Sequence, residues 1–358
     1  MRTHSNFRLL VVRLGAMGDI LHALPAITAL RQAHPDWLID WVVEPRWRAL
    51  LSVEESLGPQ SAQSPAQPLV DNLYFAPTKT WRNAPLSRQT FHEIKALRAQ
   101  LQAGEFDAVI DLQGAIRSAV VARLAGSSRI IGESEPRERA ARWLFTERIR
   151  THGAHVIEQD LELASAIAGD ALAPVAPWLP IDPSAEGWAE EILPHAVSLP
   201  VALINPGAGW GAKRWPAERY AAVAQGLIAR GCRVLVNAGP GEEPLAQCVA
   251  SQTGGAALAL TCSLAQLIAL TRRIALAVAG DTGPLHLACA LGRPVVGIYG
   301  PTDPSRNGPF GTRFKVLRSS RSRRDHSRRE APEAGLLTIQ PADVLRAADA
   351  LLYPESAL

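Results

Sequence analysis

Cysteine is scarce in this chain, four in 358 residues, and no two of them form a CxxC pair. Cys232, Cys248, Cys262 and Cys289 are too scattered for a disulfide framework or a thiolate metal site, so reduced, buried thiols are expected. An excess of charge of one sign is also missing. Lys plus Arg is 37 and Asp plus Glu is 34, a net charge of +3, which argues against a strongly basic nucleic-acid binder. Long apolar runs are absent. The longest uncharged stretch, residues 244–271, is broken by Gln, Ser, Thr and Gly, so no ~20-residue bilayer span is expected. The run near the N-terminus is interrupted by Arg13 and is too short for a secretory signal, which points to the cytoplasm. Neither a GxGxxG fingerprint nor a GxxxxGK[ST] loop is present, and no short-period repeat is visible.

What is present reads as an α/β protein. The chain is 47% hydrophobic and 20% charged, and its length suits two domains. Residues 8–14, RLLVVRL, form a strand pattern, followed by the glycine turn 15–18 and a helical pattern from Asp19. Further strands are expected over 38–43 and 107–111, and helices over 90–103 and 155–168. Residues 52–67, rich in Ser, Pro and Gln, read as a loop. Four prolines between Gly169 and Gly187 mark a linker. The same pattern then restarts. Strands are expected over 201–204, 233–237, 275–279 and 294–299. Helices are expected over 216–230, 263–271 and 341–352, with Ser263 as an N-cap. The expected architecture is two Rossmann-like, doubly wound domains facing across a cleft, with ligands at the C-terminal strand ends. The domains are placed at 1–178 and 179–340, with a C-terminal segment 341–358 packing back on the first domain.

Three strand-end turns carry candidate chemistry. In Gly15-Ala16-Met17-Gly18-Asp19, Asp19 is either a helix cap or a general base for an acceptor hydroxyl. A helix N-terminus favours negative charge there. In Gly280-Asp281-Thr282-Gly283-Pro284-Leu285-His286, the N–H groups of Thr282 and Gly283 open a helix and suit a phosphate. Asp281 caps that helix or accepts sugar hydroxyls, and His286 faces the ligand or serves as a bonded core histidine. In residues 205–216, Gly207 and Gly209 permit close backbone approach, and Lys213 can neutralise a diphosphate or remain a solvated charge. Glu242, after the turn 239–241, is a candidate for ribose hydroxyls. Lys79, Arg82, Arg117 and Arg137 are each ordinary surface charges alone, and together suit an anionic acceptor. Residues 313–329 hold eight Lys or Arg and one acid, Asp325, which suits a solvated loop or an anionic membrane surface.

The segments LGAMGDILHALPA, WVVE, DAVIDLQG, NPGAGWGAKRWP and AGDTGPLHLACALGRPVVGIYGPTDP, in this order, closely resemble the lipopolysaccharide heptosyltransferases. Residues 80–84 and 114–118 look more like the heptosyltransferase I type than type II. The resemblance implies a GT-B glycosyltransferase that inverts the anomeric centre. It implies ADP-heptose as donor and the Kdo of Kdo-lipid A as acceptor. No cofactor or metal is implied, and no nucleic acid. The enzyme is expected on the cytoplasmic face of the inner membrane, in peripheral contact with it.

Asp19 then matches the catalytic base, and Lys213 the residue that stabilises the departing diphosphate. Gly207, Ala208, Lys213, Glu242, Asp281, Thr282, Gly283 and His286 match the donor site. Gly18, Lys79, Arg82, Arg117 and Arg137 match the acceptor site. Two features depart from the pattern. Thr80 and Asn83 are uncharged where cations are expected, and residues 207–212 are glycine-rich where hydroxyl side chains are expected. Three other readings remain: a same-family transferase with another acceptor or sugar, a GT-B-like sugar-nucleotide epimerase, and a non-catalytic nucleotide-sugar-binding module.

Overall fold

The computed structural model describes residues 6–53, 68–194, 199–325 and 329–353. Most of the expected loop 52–67 lies outside them. The chain divides into two compact units, Met1–Pro180 and Ile181–Leu358, a boundary two residues beyond the one expected from the prolines.

The first unit contains β1 (Arg8–Val12), α1 (Met17–Ala33), β2 (Leu38–Val43), β3 (Asn72–Phe75), α2 (Thr78–Asn83), α3 (Arg88–Ala103), β4 (Ala108–Asp111), α4 (Ile116–Leu124), β5 (Ile130–Glu133), β6 (Glu147–Ile149) and α5 (Val156–Ala168). All its strands are parallel, in the order β3-β2-β1-β4-β5-β6. The central strands read as near-continuous apolar runs because both faces are covered, as parallel sheets require. Leu10, Val12, Val42, Val109 and Ile130 join Leu97, Leu101 and Ala122 in one core. Helix α1 is buried almost all round and packs on α5.

The second unit contains α6 (Pro183–Ile192), β7 (Val201–Asn205), α7 (Ala217–Ile228), β8 (Arg233–Ala238), α8 (Glu243–Ser251), β9 (Leu258–Thr261), α9 (Leu264–Thr271), β10 (Leu276–Gly280), α10 (Gly283–Ala290), β11 (Val295–Tyr299), α11 (Pro304–Asn307), β12 (Phe314–Arg318) and α12 (Pro341–Leu352). Its parallel sheet runs β12-β11-β10-β7-β8-β9, the winding of the first unit repeated. In each sheet the strand order reverses at the central pair, β1/β4 and β7/β10. That is where doubly wound sheets open a crevice at their carboxyl ends.

Local signals explain the helix starts. Ser263 Oγ accepts from Gln266 N–H at 3.2 Å, as expected for an N-cap. Ser87 caps α3 in the same way, so that helix begins two residues earlier than its apolar periodicity suggested. Asp182 caps α6 through Ser184 and Ala185 N–H, so the proline-rich linker ends inside the stretch expected to be irregular. Helix α12 packs on α7, β10, β11 and β12 of its own unit. Among the described residues no helix is long and apolar enough to cross a membrane.

Candidate active site

In the first unit, the exit of β1 is held from both sides. Leu14 N–H donates to Gln113 Oε1 at 2.8 Å, beyond β4, and Glu44 N–H, beyond β2, donates to Leu14 O at 3.1 Å. Gly15 follows at φ +145°, and a Cβ there would lie 2.6 Å from Trp47 Nε1. Only glycine fits both the torsion and the space. Helix α1 begins at Met17, so Gly18 and Asp19 fall inside its first turn. Asp19 Oδ2 accepts from Ala16 N–H at 3.0 Å, which is a capping bond. Its other oxygen stays open to a second role, with the side chain 31% exposed and Oδ1 3.9 Å from Arg13 Nη2. Arg13 is buried, and its Nε donates to the Asp19 main-chain oxygen at 3.0 Å.

The turn after β4 supplies a buried carboxyl. Asp111 is 1% exposed, and its Oδ1 accepts from Gln113 N–H at 2.8 Å and Gly114 N–H at 2.9 Å. Burial pushes its pKa up to about 6 against those hydrogen bonds and the nearby Arg13 charge. Among the described residues Gln113 Nε2 is buried without a hydrogen-bond partner.

The expected acceptor cations sit around this rim unevenly. Arg117 is in the first turn of α4 and exposed, just after the 111–114 turn. Arg137 is exposed too, and its main-chain nitrogen lies against Gly114. The Lys79 main-chain N–H donates to Glu44 Oε1 at 3.0 Å, which ties it to the residue beside Leu14. Arg82, at the end of α2, is exposed, and among the described residues nothing ties it to the other candidates.

In the second unit, the exits of β7 and β10 converge. Lys213 Nζ donates to the Asp281 carboxylate and, at 3.1 Å, to the Asp281 main-chain oxygen. His286 Nε2 lies 3.1 Å from the other carboxylate oxygen. Burial alone would raise the pKa of Asp281. The His286 hydrogen bond and the Lys213 charge outweigh it and hold the carboxyl far below its ordinary range. With Asp281 ionised, Nε2 is the ring nitrogen that carries the proton. Of the two expected readings of Asp281, helix cap or acceptor of sugar hydroxyls, the cap is not the one it takes. The N-cap position of α10 belongs to Thr282. Pro284 occupies the first turn, and among the described residues the N–H groups of Thr282 and Gly283 have no hydrogen-bond partner. Unpartnered N–H groups at a helix N-terminus suit an anion. The Lys213 ammonium also lies 4.4 Å from the centroid of the Trp210 ring.

One strand further along, Glu242 reaches the glycine-rich loop. Its Oε1 accepts from Ala208 N–H at 3.2 Å. A Cβ on Gly207 would lie 1.9 Å from Glu242 Oε2, so the glycine there makes room for the carboxylate. Behind it, Asn237 Nδ2 donates to Asn205 Oδ1 at 2.9 Å, buried at the strand ends.

The basic segment is tied to the fold at a few points, and most of its described cations are exposed. Arg313 precedes β12 and Arg318 ends it. The Arg318 guanidinium donates to Gly300 O, Thr302 O and Ser322 O. Arg324 pairs with Asp303, and Arg329 O accepts from Ala212 N–H at 2.9 Å, next to Lys213. Residues 326–328 lie outside the described residues.

Residues 94–336 match the model of glycosyltransferase family 9 (heptosyltransferase). The chain belongs to this family. It is 30% identical over 329 residues to lipopolysaccharide heptosyltransferase 1 of Escherichia coli K12, covering 88% of this chain and 94% of that protein. Its fold matches the E. coli heptosyltransferase WaaC with ADP at a TM-score of 0.77 and 28% identity, over 96% of this chain and all of that one. It matches the same enzyme with ADP-2-deoxy-2-fluoro heptose at a TM-score of 0.75 and 27% identity, over 96% of this chain and 99% of that one. The chain is a glycosyltransferase with the GT-B fold, and its similarity to the heptosyltransferase 1 enzymes runs over most of its length.

Arg13, Glu44, Asp111 and Gln113 were not singled out in the sequence. The segments WVVE and DAVIDLQG drew attention to their positions, but only as strands and turns. A charged residue inside a buried strand pattern, as in DAVID, was the available signal.

Proposed function

We propose that the chain transfers L-glycero-D-manno-heptose from ADP-heptose to the Kdo of Kdo-lipid A, with inversion at the anomeric carbon. The observation that carries this reading is the Lys213–Asp281–His286 constellation beside the free N–H groups of α10. An ammonium has three N–H donors. Two are spent on Asp281, which leaves one for the diphosphate of a nucleotide sugar. Asp281 fixes the Lys213 head, and His286 fixes Asp281. As the sugar–oxygen bond breaks, charge grows on the departing ADP. Lys213 and the N–H groups of Thr282 and Gly283 stabilise it without reorganising, which is the usual source of large electrostatic rate effects. Glu242, held against Ala208, accepts from ribose hydroxyls.

On the first unit, Asp19 acts as the base. Its capping bond from Ala16 fixes the carboxylate, and its exposed oxygen takes the proton from the acceptor hydroxyl. That hydroxyl oxygen then attacks the anomeric carbon on the face opposite ADP, so no covalent enzyme intermediate forms. Lys79, Arg82, Arg117 and Arg137 receive the acceptor's anionic groups by charge-assisted hydrogen bonds. The remaining Lys213 N–H and the N–H groups of Thr282 and Gly283 take over the stabilisation a metal would provide, so no metal is required. The enzyme works at the cytoplasmic face of the membrane that holds its acceptor.

The test is a donor and acceptor panel with the purified chain. ADP-heptose with Kdo-lipid A should give a mono-heptosylated product, undiminished by EDTA. Preference for an already heptosylated acceptor would replace the reading with a type II enzyme. Turnover of UDP-sugars without acceptor would indicate an epimerase. Tight ADP-heptose binding with no transfer to any acceptor would indicate a binding module.

A further inference from the structure

One face of the first unit keeps apolar side chains in water. Ile116 and Val120 lie one turn apart on α4, at 45% and 46% exposure. Ser118, Ala119, Val121 and Ala122 are buried on the other side of that helix, so the exposed pair points outward. Helix α4 packs beside the 3-10 turn Arg139–Leu144, where Trp143 is 63% exposed. The two segments are joined by a hydrogen bond from Ile116 N–H to Glu138 Oε2 at 2.8 Å. Arg142 and Arg148 flank the indole, 4.8 and 5.2 Å from its centroid.

The charge of this face is one-sided. Residues 116–150 hold eight arginines and four glutamates, more net positive charge than the +3 of the whole chain. Three of the glutamates are engaged: Glu138 as above, Glu147 with Arg129, and Glu133 with Thr151. Among the described residues Arg117, Arg123, Arg139, Arg142 and Arg148 form no ion pair with an acid.

We propose that this face, built on Ile116, Val120 and Trp143 and ringed by arginines, docks the enzyme on an anionic lipid membrane. An indole with guanidinium neighbours suits the headgroup boundary, where its apolar body and polar N–H are both accommodated. The arginines meet lipid phosphates by charge-assisted hydrogen bonds. Two copies of the face pairing symmetrically would set arginine against arginine, which disfavours self-association. In the basic segment 313–329, read from the sequence as a solvated loop or a membrane-attracted one, Arg318 is tied to main-chain oxygens and Arg324 and Arg329 pair with Asp303 and Asp325, so the face around Trp143 is the one proposed to dock. The inference deepens the transferase reading by bringing Arg117 of the acceptor site close to the lipid surface. Its test needs no turnover, so the two readings can fail separately.

The test is co-sedimentation of the full chain with vesicles of phosphatidylglycerol and phosphatidylethanolamine, against pure phosphatidylcholine. The wild type should partition at least tenfold more strongly onto the anionic vesicles. Ile116→Ser/Val120→Ser/Trp143→Ser should lose at least tenfold, and Arg139→Gln/Arg142→Gln/Arg148→Gln a similar amount at low salt. Arg321→Gln/Arg323→Gln in the other basic segment should change it less than twofold. All these side chains but the half-buried Arg142 are exposed, so thermal melting should confirm that each variant folds. The proposal is overturned if the wild type ignores anionic vesicles or if the first two variants partition normally. It is also overturned if the 321/323 variant loses as much, or if the apolar variant converts a dimer to a monomer in light scattering.

Discussion

Replacing Lys213 with Met removes the cation that balances a mostly buried carboxylate. The expected cost follows from what remains. Asp281 keeps its His286 hydrogen bond but loses two donors, one on its carboxylate and one on its main-chain oxygen. Breaking a buried ion pair by removing one partner costs about 3–5 kcal/mol. Both side chains retain slight exposure and His286 remains, so the lower end, about 3 kcal/mol, is expected. For a unit of this size that lowers the midpoint of its unfolding transition by about 6–12 °C. Asp281→Asn removes the charge that needs balancing. In that background Lys213→Met should cost under about 1 kcal/mol, which gives a coupling of about 2 kcal/mol or more. The coupling also has a pH signature. The folded-state pKa of Asp281 is lowered, so its contribution is complete above the ordinary value of 3.8 and fades as pH falls below it. The assay is denaturant unfolding of the four proteins without nucleotide, at pH 7 and at pH 3. Equal losses from Lys213→Met in both backgrounds would refute the reasoning.

Three further outcomes follow from other parts of the fold. Asp111→Asn keeps Oδ1 for Gln113 and Gly114 N–H and removes a buried charge. The raised pKa means the wild type loses stability as pH climbs from 3.8 towards about 6, about 3 kcal/mol in all, and the variant should lack that fall. Urea melts at pH 4 and pH 7 check it, and an equal destabilisation at both would count against it. Gly207→Ala places a methyl where the Glu242 carboxylate sits, so ADP binding by calorimetry should weaken about as much as in Glu242→Gln. Undisturbed ADP affinity would separate Glu242 from the ribose. Gly15→Ala forces an L side chain to φ +145° against Trp47, and should cost about 1–3 kcal/mol in the thermal stability of the first unit. A variant as stable as wild type would show that the turn relaxes freely.

The doubly wound pattern was visible in the sequence because parallel strands buried on both faces leave continuous apolar runs, and the turns that end them are rich in glycine. The same turns exposed Asp19, Lys213 and Asp281. What stayed hidden depends on contacts far apart in the chain. Asp281 reads as a cap by its position, yet Lys213, 68 residues away, and His286 take its carboxylate, and no local rule announces that. The buried Asp111 and Arg13 were passed over because their neighbours made them look like strand ends. The basic segment read as a solvated loop or a membrane-attracted one, and bonds from Arg318 and Arg324 tie part of it to the fold.

The most direct test of the account is transfer from ADP-heptose to Kdo-lipid A by wild type and by Asp19→Asn, with ADP affinity measured alongside. The amide oxygen of Asn can still accept from Ala16 N–H, so the turn should survive while the base is lost. The account predicts heptosyl transfer by the wild type, a fall of about 10²–10⁴-fold in kcat for the variant, and unchanged ADP binding. A folded Asp19→Asn enzyme that transfers at the wild-type rate would contradict it.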